Sequence, residues 1–206
     1  MIYEVINSTL KPGYVKKWEA SFCKALPARS RHSSLGGLWH TDIGPLNEIV
    51  QIWPYESVAH RAEVQAKVKL DPDCPPDGNE SIVHWDTQIF TPVPFSPQLG
   101  GEKQLGGIYE MRIYQFKAGS IQTVIERFKP AIEGGRLDLS PLAVMMYSET
   151  GVQDSLMHIW PYKDFATRDQ VRHETGKLKT WPPDIGEFLL SQQNKILIPA
   201  ACSPMK

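Results

Sequence analysis

Two stretches gather the side chains most able to do chemistry. One is Gln51-Ile52-Trp53-Pro54-Tyr55 and the other is His158-Ile159-Trp160-Pro161-Tyr162. Alternate residues of an extended chain share a face. Gln51 therefore sits with Trp53, and His158 with Trp160, while Val50 and Ile52 or Met157 and Ile159 form the opposite set. Glu4, Glu110 and Arg112 share a face of two further strand-like segments, and His40 and Tyr147 occupy equivalent positions. An imidazole with a pKa near neutrality and a substrate proton within reach is a general base. His158, Tyr147 and Glu110 are thus the catalytic candidates. Arg112, Trp160, His40, Gln51, Trp53 and Glu4 are the binding candidates.

The same residues repeat. Trp53 is matched by Trp160 at a spacing of 107, and Tyr3 by Tyr109 at 106. Gly44/Gly151, Arg61/Arg168, Val64/Val171 and Pro75-Pro76-Asp77/Pro182-Pro183-Asp184 follow at 107. One single-residue gap between Phe22/Phe128 and Gly44/Gly151 keeps the whole register. Residues 92–107, PVPFSPQLGGEKQLGG, carry the Pro and Gly of a linker. The expected units are residues 1–92 and 107–200, joined by 93–106.

Both units read β-α-β-β-α-β. Val15, Trp18, Phe22 and Leu26, like Ile121, Val124, Phe128 and Ile132, mark a buried helix face. Gly37–Asp42 with Glu48–Trp53, and Ala143–Glu149 with Ser155–Trp160, read as hairpins that Pro54 and Pro161 terminate. Ser57 and Asp164 stand where helix N-caps belong. The second helices are expected to run to about Leu70 and Thr180, with last strands near Trp85–Thr91 and Gln193–Ile198. This order is the ferredoxin-like split βαβ unit. Two such sheets can join their edges into one α+β barrel with the helices outside, an intramolecular version of a dimeric barrel.

On that plan the aliphatic set should face the helices. The mixed set should line a pocket in the barrel interior, with Glu110, Arg112, Tyr147, His158 and Trp160 facing Glu4, His40, Gln51 and Trp53. The competing reading is a filled interior in which these groups satisfy one another, for example as a Glu110–Arg112 ion pair. Arg61 and Arg168 should bond strand-end carbonyls or a carboxylate. His60 and His173 have no twin histidine, no CxxC spacing occurs, and neither a metal nor a cofactor is expected.

The chain resembles the NIPSNAP family. The residues that carry the likeness are Ile108-Tyr109-Glu110-Met111-Arg112-Ile113-Tyr114 followed by Lys117-Ala118-Gly119, and His158–Tyr162 followed by Arg168. The likeness covers nearly the whole chain. The first half departs from it, with Ile6 in the place of Arg112 and Pro12 in the place of the small residue. The resemblance implies the fold of dimeric α+β barrel proteins, which include cofactor-free monooxygenases, isomerases and haem enzymes. It implies no particular reaction, because a fold does not carry one. The first functional reading is a barrel that binds, and oxidises or isomerises, a small organic molecule. The second is a non-enzymatic adaptor.

Composition narrows the partners. Hydrophobic residues make up 41% and charged residues 22%, ordinary for a globular protein. Lys+Arg 22 against Asp+Glu 23 leaves a net charge of -1, with no basic surplus for nucleic acid. No apolar run of about 18 residues occurs, so no membrane insertion is expected. The charged helix faces (Lys16, Lys17, Glu63, Lys67) leave a homodimer open. The first residues, MIYEVINSTLKPG, lack a secretory pattern, which points to the cytoplasm or, after processing, the mitochondrial matrix. On that basis the sequons at Asn7 and Asn79 are chance matches, and Cys23, Cys74 and Cys202 are expected as reduced thiols.

Overall fold

The computed structural model describes residues 1–74 and 79–206, so one copy of the Pro-Pro-Asp repeat lies outside the described residues. The first half consists of β1 (Ile2–Leu10), α1 (Val15–Ser30), β2 (Gly37–Ile43), β3 (Glu48–Tyr55), α2 (Val58–Leu70) and β4 (Ile82–Pro92). The second consists of β5 (Ile108–Phe116), α3 (Ile121–Ala131), β6 (Val144–Ser148), β7 (Ser155–Tyr162), α4 (Phe165–Thr175) and β8 (Leu189–Pro199). Each half has the α+β, ferredoxin-like order expected of it. Gly13 and Gly119, at φ +82° and +78°, make the turn that frees each first helix from its strand. Ser57 accepts from the His60 N–H at 3.1 Å and Asp164 from the Thr167 N–H at 2.7 Å, capping α2 and α4. α4 stops at Thr175, five residues short of the expected end.

The strands close into one antiparallel barrel in the order β1-β3-β2-β8-β5-β7-β6-β4. Each half supplies four neighbours, and β2–β8 and β4–β6 join the halves, with Trp39 opposite Pro199 and Phe90 opposite Ser148. Closure removes every exposed edge. The β2–β8 seam also holds a buried ion pair between Lys195 and Glu48, to which Thr41 donates at 3.1 Å.

Pro54 and Pro161 do not end their strands. They stand opposite Tyr3 and Tyr109 inside β3 and β7. The β2–β3 ladder begins only at Gly37 opposite Ile52. Alternation then turns the nitrogen of residue 54 to the side where β2 has ended, so no ladder donor is lost.

The two faces of the sheet are the reverse of the expectation. Val50, Ile52, Met157 and Ile159 point into the barrel, packed with Tyr3, Val5, Trp39, Tyr109 and Met111. The set with Gln51, Trp53, His158 and Trp160 points to the helices. An eight-stranded interior is only wide enough for side chains. Its one end holds Glu48 and Lys195 paired with each other, whereas the helices bring arginines to the outer face. The pocket expected in the interior is therefore filled: Leu99 and Met205, from the joining segment and the C-terminal tail, belong to the same core and are 5% and 0% exposed. The Leu99 N–H donates to the Tyr3 hydroxyl at 3.0 Å.

The thiol expectation is also corrected. Cys23 on α1 and Cys202 in the tail are disulfide-bonded, with Cα atoms 5.5 Å apart, and Cys74 alone remains free. The tail runs back over α1 and brings together residues 179 positions apart. Among the described residues no helix is long and apolar enough to cross a membrane.

Because the interior is the driest core, Ile159→Ala should cost ~2–5 kcal/mol in urea unfolding, as large cavities do. A loss under about 1 kcal/mol would mean that the barrel interior is not closely packed.

Candidate functional site

Each half holds a cleft between the outer face of its sheet and its two helices. The walls derive from equivalent residues. In the first half Arg29, on the last turn of α1, lies 4.1 Å from the Trp53 ring centre and donates to Ser33 Oγ at 2.7 Å and Tyr55 OH at 3.0 Å. In the second half Arg136 lies 3.7 Å from the Trp160 ring centre and donates to Ser140 Oγ at 2.8 Å and Tyr162 OH at 3.3 Å. All four positions differ by 107. The extra residue that shifts the spacing from 106 to 107 is absorbed after α3 in a widened π turn, Ile132–Arg136, broken at Gly134 and Gly135. A straight continuation of α3 would not bring Arg136 onto Trp160.

Behind each tryptophan stands its acceptor. Trp53 Nε1 donates to Gln51 Oε1 at 3.1 Å, and Trp160 Nε1 to His158 Nδ1 at 2.6 Å. His158 thus fills the place of Gln51. It is wholly buried, edge-on to Tyr114 at 4.9 Å. Burial, and then the Arg112 charge, lower its pKa to about 3. A neutral imidazole this reluctant to take a proton is a poor general base.

Behind the tryptophan rows each half buries one carboxylate. Glu4 pairs with Arg61 and accepts from Gln65 at 3.3 Å. Glu110 accepts from Arg168 at 3.1 and 3.0 Å, Arg112 at 3.1 Å and Asn194 at 3.1 Å, with Arg172 at 3.5 Å. Arg61 and Arg168 thus bind a carboxylate, one of the two partners expected for them. The Glu110–Arg112 pair also forms, but on the helix side. Burial raises the pKa of Glu110. Its bonds from Arg168 and the Arg112 charge outweigh that and hold it at about 2.

The first cleft encloses about 480 Å³. Its walls are Trp18, Phe22, Leu26, Trp53, Val68 and Trp85, with Arg29, Gln51, Gln65 and Lys69 as polar points. Trp18 and Phe22 stack at 4.9 Å. The second cleft is smaller, about 260 Å³, and is lined by Glu110, Arg112, Arg136, Trp160, Arg172 and Trp181 among others. Of the candidates, Gln51 and Trp53 line the first cleft, with Glu4 behind it through Gln65. Glu110, Arg112 and Trp160 line the second. His40 and Tyr147 are separate from both sets: His40 Nδ1 lies 2.8 Å from Glu19 on α1, which raises its pKa, and Tyr147 lies half-buried on β6. Arg29, Arg136 and Arg172 were missed. Extending the 107 register back from Gly44/Gly151 to Ser33/Ser140 and Arg29/Arg136 would have found the first two.

His32, Asp71 and Cys74 bring ligand atoms within 4.8 Å of one another, with Cys74 on the wall of the first cleft. The Arg31 guanidinium binds both Asp71 oxygens, at 3.1 and 2.9 Å, and its charge opposes a metal cation there.

The closed eight-stranded barrel with a helix-covered cleft in each half defines a dimeric α+β barrel folded from one chain. The model of the NIPSNAP family matches residues 3–97 and again 109–204, and the chain belongs to that family. It is 28% identical over 216 aligned positions to the human Protein NipSnap homolog 3B, covering 99% of this chain and 85% of that protein. It is 26% identical over 185 positions to a Dictyostelium discoideum NipSnap homolog, covering 87% and 80%. Among solved structures, a candidate monooxygenase of Lactobacillus acidophilus superposes with a TM-score of 0.70 at 14% identity, covering 97% of this chain and 94% of that one. One from Fusobacterium nucleatum gives 0.67 at 10% identity, covering 97% and 92%. At these identities the likeness shows the fold alone.

Two outcomes follow from the buried groups. The folded pKa of Glu110 lies below the ordinary 4.5, so its stabilisation is complete above about 4.5 and is lost as pH falls toward 2, an effect of ~3 kcal/mol. Wild-type unfolding midpoints should therefore drop more steeply from pH 5 to 2.5 than those of Glu110→Gln, and equal slopes would remove the carboxylate from the balance. The His158 ring C–H resonance should hold still from pH 8 to 5. A titration midpoint above 5 would restore the histidine as a base.

Proposed function

We propose that this NIPSNAP protein binds a small organic molecule with a flat apolar body and one polar oxygen, and that it does so in the first cleft, between the helices and the sheet. The aromatic cleft itself carries this reading. Its volume of about 480 Å³ lies within the range of small-molecule sites. Trp18, Phe22, Trp53 and Trp85 offer ring faces, and among the described residues the Arg29 guanidinium donates to the neutral hydroxyls of Ser33 and Tyr55. A carbonyl, phenolate or carboxylate oxygen on the ligand suits its remaining N–H groups.

The finer reading, oxidation or isomerisation without a cofactor, extends the same site. The candidate monooxygenases share the fold but too little sequence to lend their activity. Either reaction begins with loss of a substrate proton. Among the described residues the cleft wall carries no histidine, and burial raises the pKa of Cys74. Turnover here is thus confined to substrates acidic enough to ionise beside Arg29 and Lys69, such as aromatic diols, which give two electrons and two protons to dioxygen and leave as quinones with hydrogen peroxide.

2-Naphthol is a suitable probe. It should quench tryptophan emission saturably, and Ala25→Phe, which fills the cleft from α1, should weaken binding at least tenfold. Absence of saturable binding by 2-naphthol, or equal binding by the filled variant, would sink the reading. Dioxygen uptake on a dihydroxynaphthalene, abolished by Ala25→Phe, would extend it from binding to turnover.

A further inference from the structure

The two clefts have the same framework but different charge. In the first half one arginine, Arg61, suffices for the buried carboxylate of Glu4. In the second the equivalent pair, Arg168 with Glu110, is present as well. Two further guanidiniums join it: Arg112 stands where the first half has Ile6, and Arg172 where it has Gln65. Arg136 makes a fourth. It is only 3% exposed, and it donates to Ser140 and Tyr162, both neutral hydroxyls. Four guanidiniums thus converge around one carboxylate, and Arg112, Arg136 and Arg172 all line the cavity. Among the described residues Asp169, on the rim beside Arg168, is the other acid in contact with the group.

Folding does not require this surplus. The first half builds the same strand, cap and tryptophan stack with Ile6 and Gln65. A buried arginine without an acidic partner is costly, because desolvation is not offset by a counter-charge. An incoming anion would supply that counter-charge. Guanidiniums pair with planar or tetrahedral oxyanions through two parallel N–H bonds. The Trp160 and Trp181 rings, 6.1 Å apart at their centres, wall the same cavity and suit a short apolar stem behind the charged group.

We propose that the second cleft is an oxyanion site, which takes a small organic molecule through its carboxylate or phosphate group while Arg112, Arg136 and Arg172 supply the charge. The site stands apart from the first cleft and does not rest on the function proposed there.

The test uses inorganic phosphate and benzoate as probes on the full chain, followed by calorimetry and by thermal unfolding in a chloride-poor buffer. Either probe should bind, and added NaCl should weaken it. Arg112→Ile with Arg172→Gln copies the first half's own residues, so the cleft should still form, and affinity should fall at least tenfold. Arg172→Gln alone changes a half-exposed helix residue and serves if the double variant does not fold; it should lower affinity several-fold. Ala25→Phe, which closes the other cleft, should leave phosphate binding intact. Binding by phosphate but not benzoate assigns the site to phosphate groups, and the reverse to carboxylates. No binding of either, or equal binding by wild type and the arginine variants, overturns the proposal.

Discussion

Closure of the barrel decides where chemistry can occur in this protein. Once β2 meets β8 and β4 meets β6, the inner face of the sheet loses contact with water and with every helix. Eight strands leave room for side chains and nothing more. A charge placed there needs a partner on the same face, as Lys195 and Glu48 are for each other, and the rest of the inner face carries Val50, Ile52, Met157, Ile159 and large aromatics. Even so, Trp39 Nε1 and the Tyr109 hydroxyl find no hydrogen-bond partner there. Polar function is displaced to the outer face, where α2 and α4 bring Arg61 and Arg168 onto the buried carboxylates. The clefts are consequences of that displacement. They form where the helices stand off the sheet, floored by a tryptophan whose indole N–H is held from below by Gln51 or His158.

Duplication then allows the two clefts to differ. In a dimer of identical chains, a substitution that suits one cleft alters both. Within one chain Ile6 and Arg112 are independent, as are Gln65 and Arg172. The shared framework shows what the two clefts have in common. The glutamate, its helix arginine, the tryptophan and the arginine stacked on it appear twice with nearly the same contacts. The residues that differ define what each cleft can hold. The first half keeps the larger, aromatic space, and the second fills part of its space with guanidinium. The one-residue insertion after α3 belongs to the same divergence. The turn kinks the chain at Gly134 and Gly135 and delivers Arg136 buried where Arg29 is only half-buried.

Much of this was legible in the sequence, and the exceptions have physical causes. The repeat, the element order and the caps at Ser57 and Asp164 depend on local spacing, and local spacing survives folding. The choice of face does not. Alternation sorts Gln51 with Trp53 and Ile52 with Val50, but a strand buried on both sides gives no local sign of which set faces inward. The assumption that aliphatic residues meet helices holds for an open sheet and fails for a closed one. Pro54 and Pro161 read as strand ends because their missing N–H usually breaks a ladder; here the ladder on that side had already stopped. The Cys23–Cys202 bond joins residues 179 apart, and no local pattern encodes the path of the tail. Of the candidate residues, Gln51 and Trp53 lie against one outer cleft and Glu110, Arg112 and Trp160 against another, not in one interior cavity. His40 and Tyr147 were included through their equivalence alone, and equivalence of position says nothing of contact.

The fate of His158 shows how one framework restricts mechanism. Its counterpart Gln51 performs the same task, accepting an indole proton, with a group that never titrates. For His158 to accept at Nδ1 it must be neutral there, and full burial beside the Arg112 charge keeps it so. Making it a base would require relieving the burial or removing the arginine. The first change would expose the tryptophan floor, and the second would take away a bond to Glu110. The second cleft is thus built for holding negative charge rather than for accepting protons.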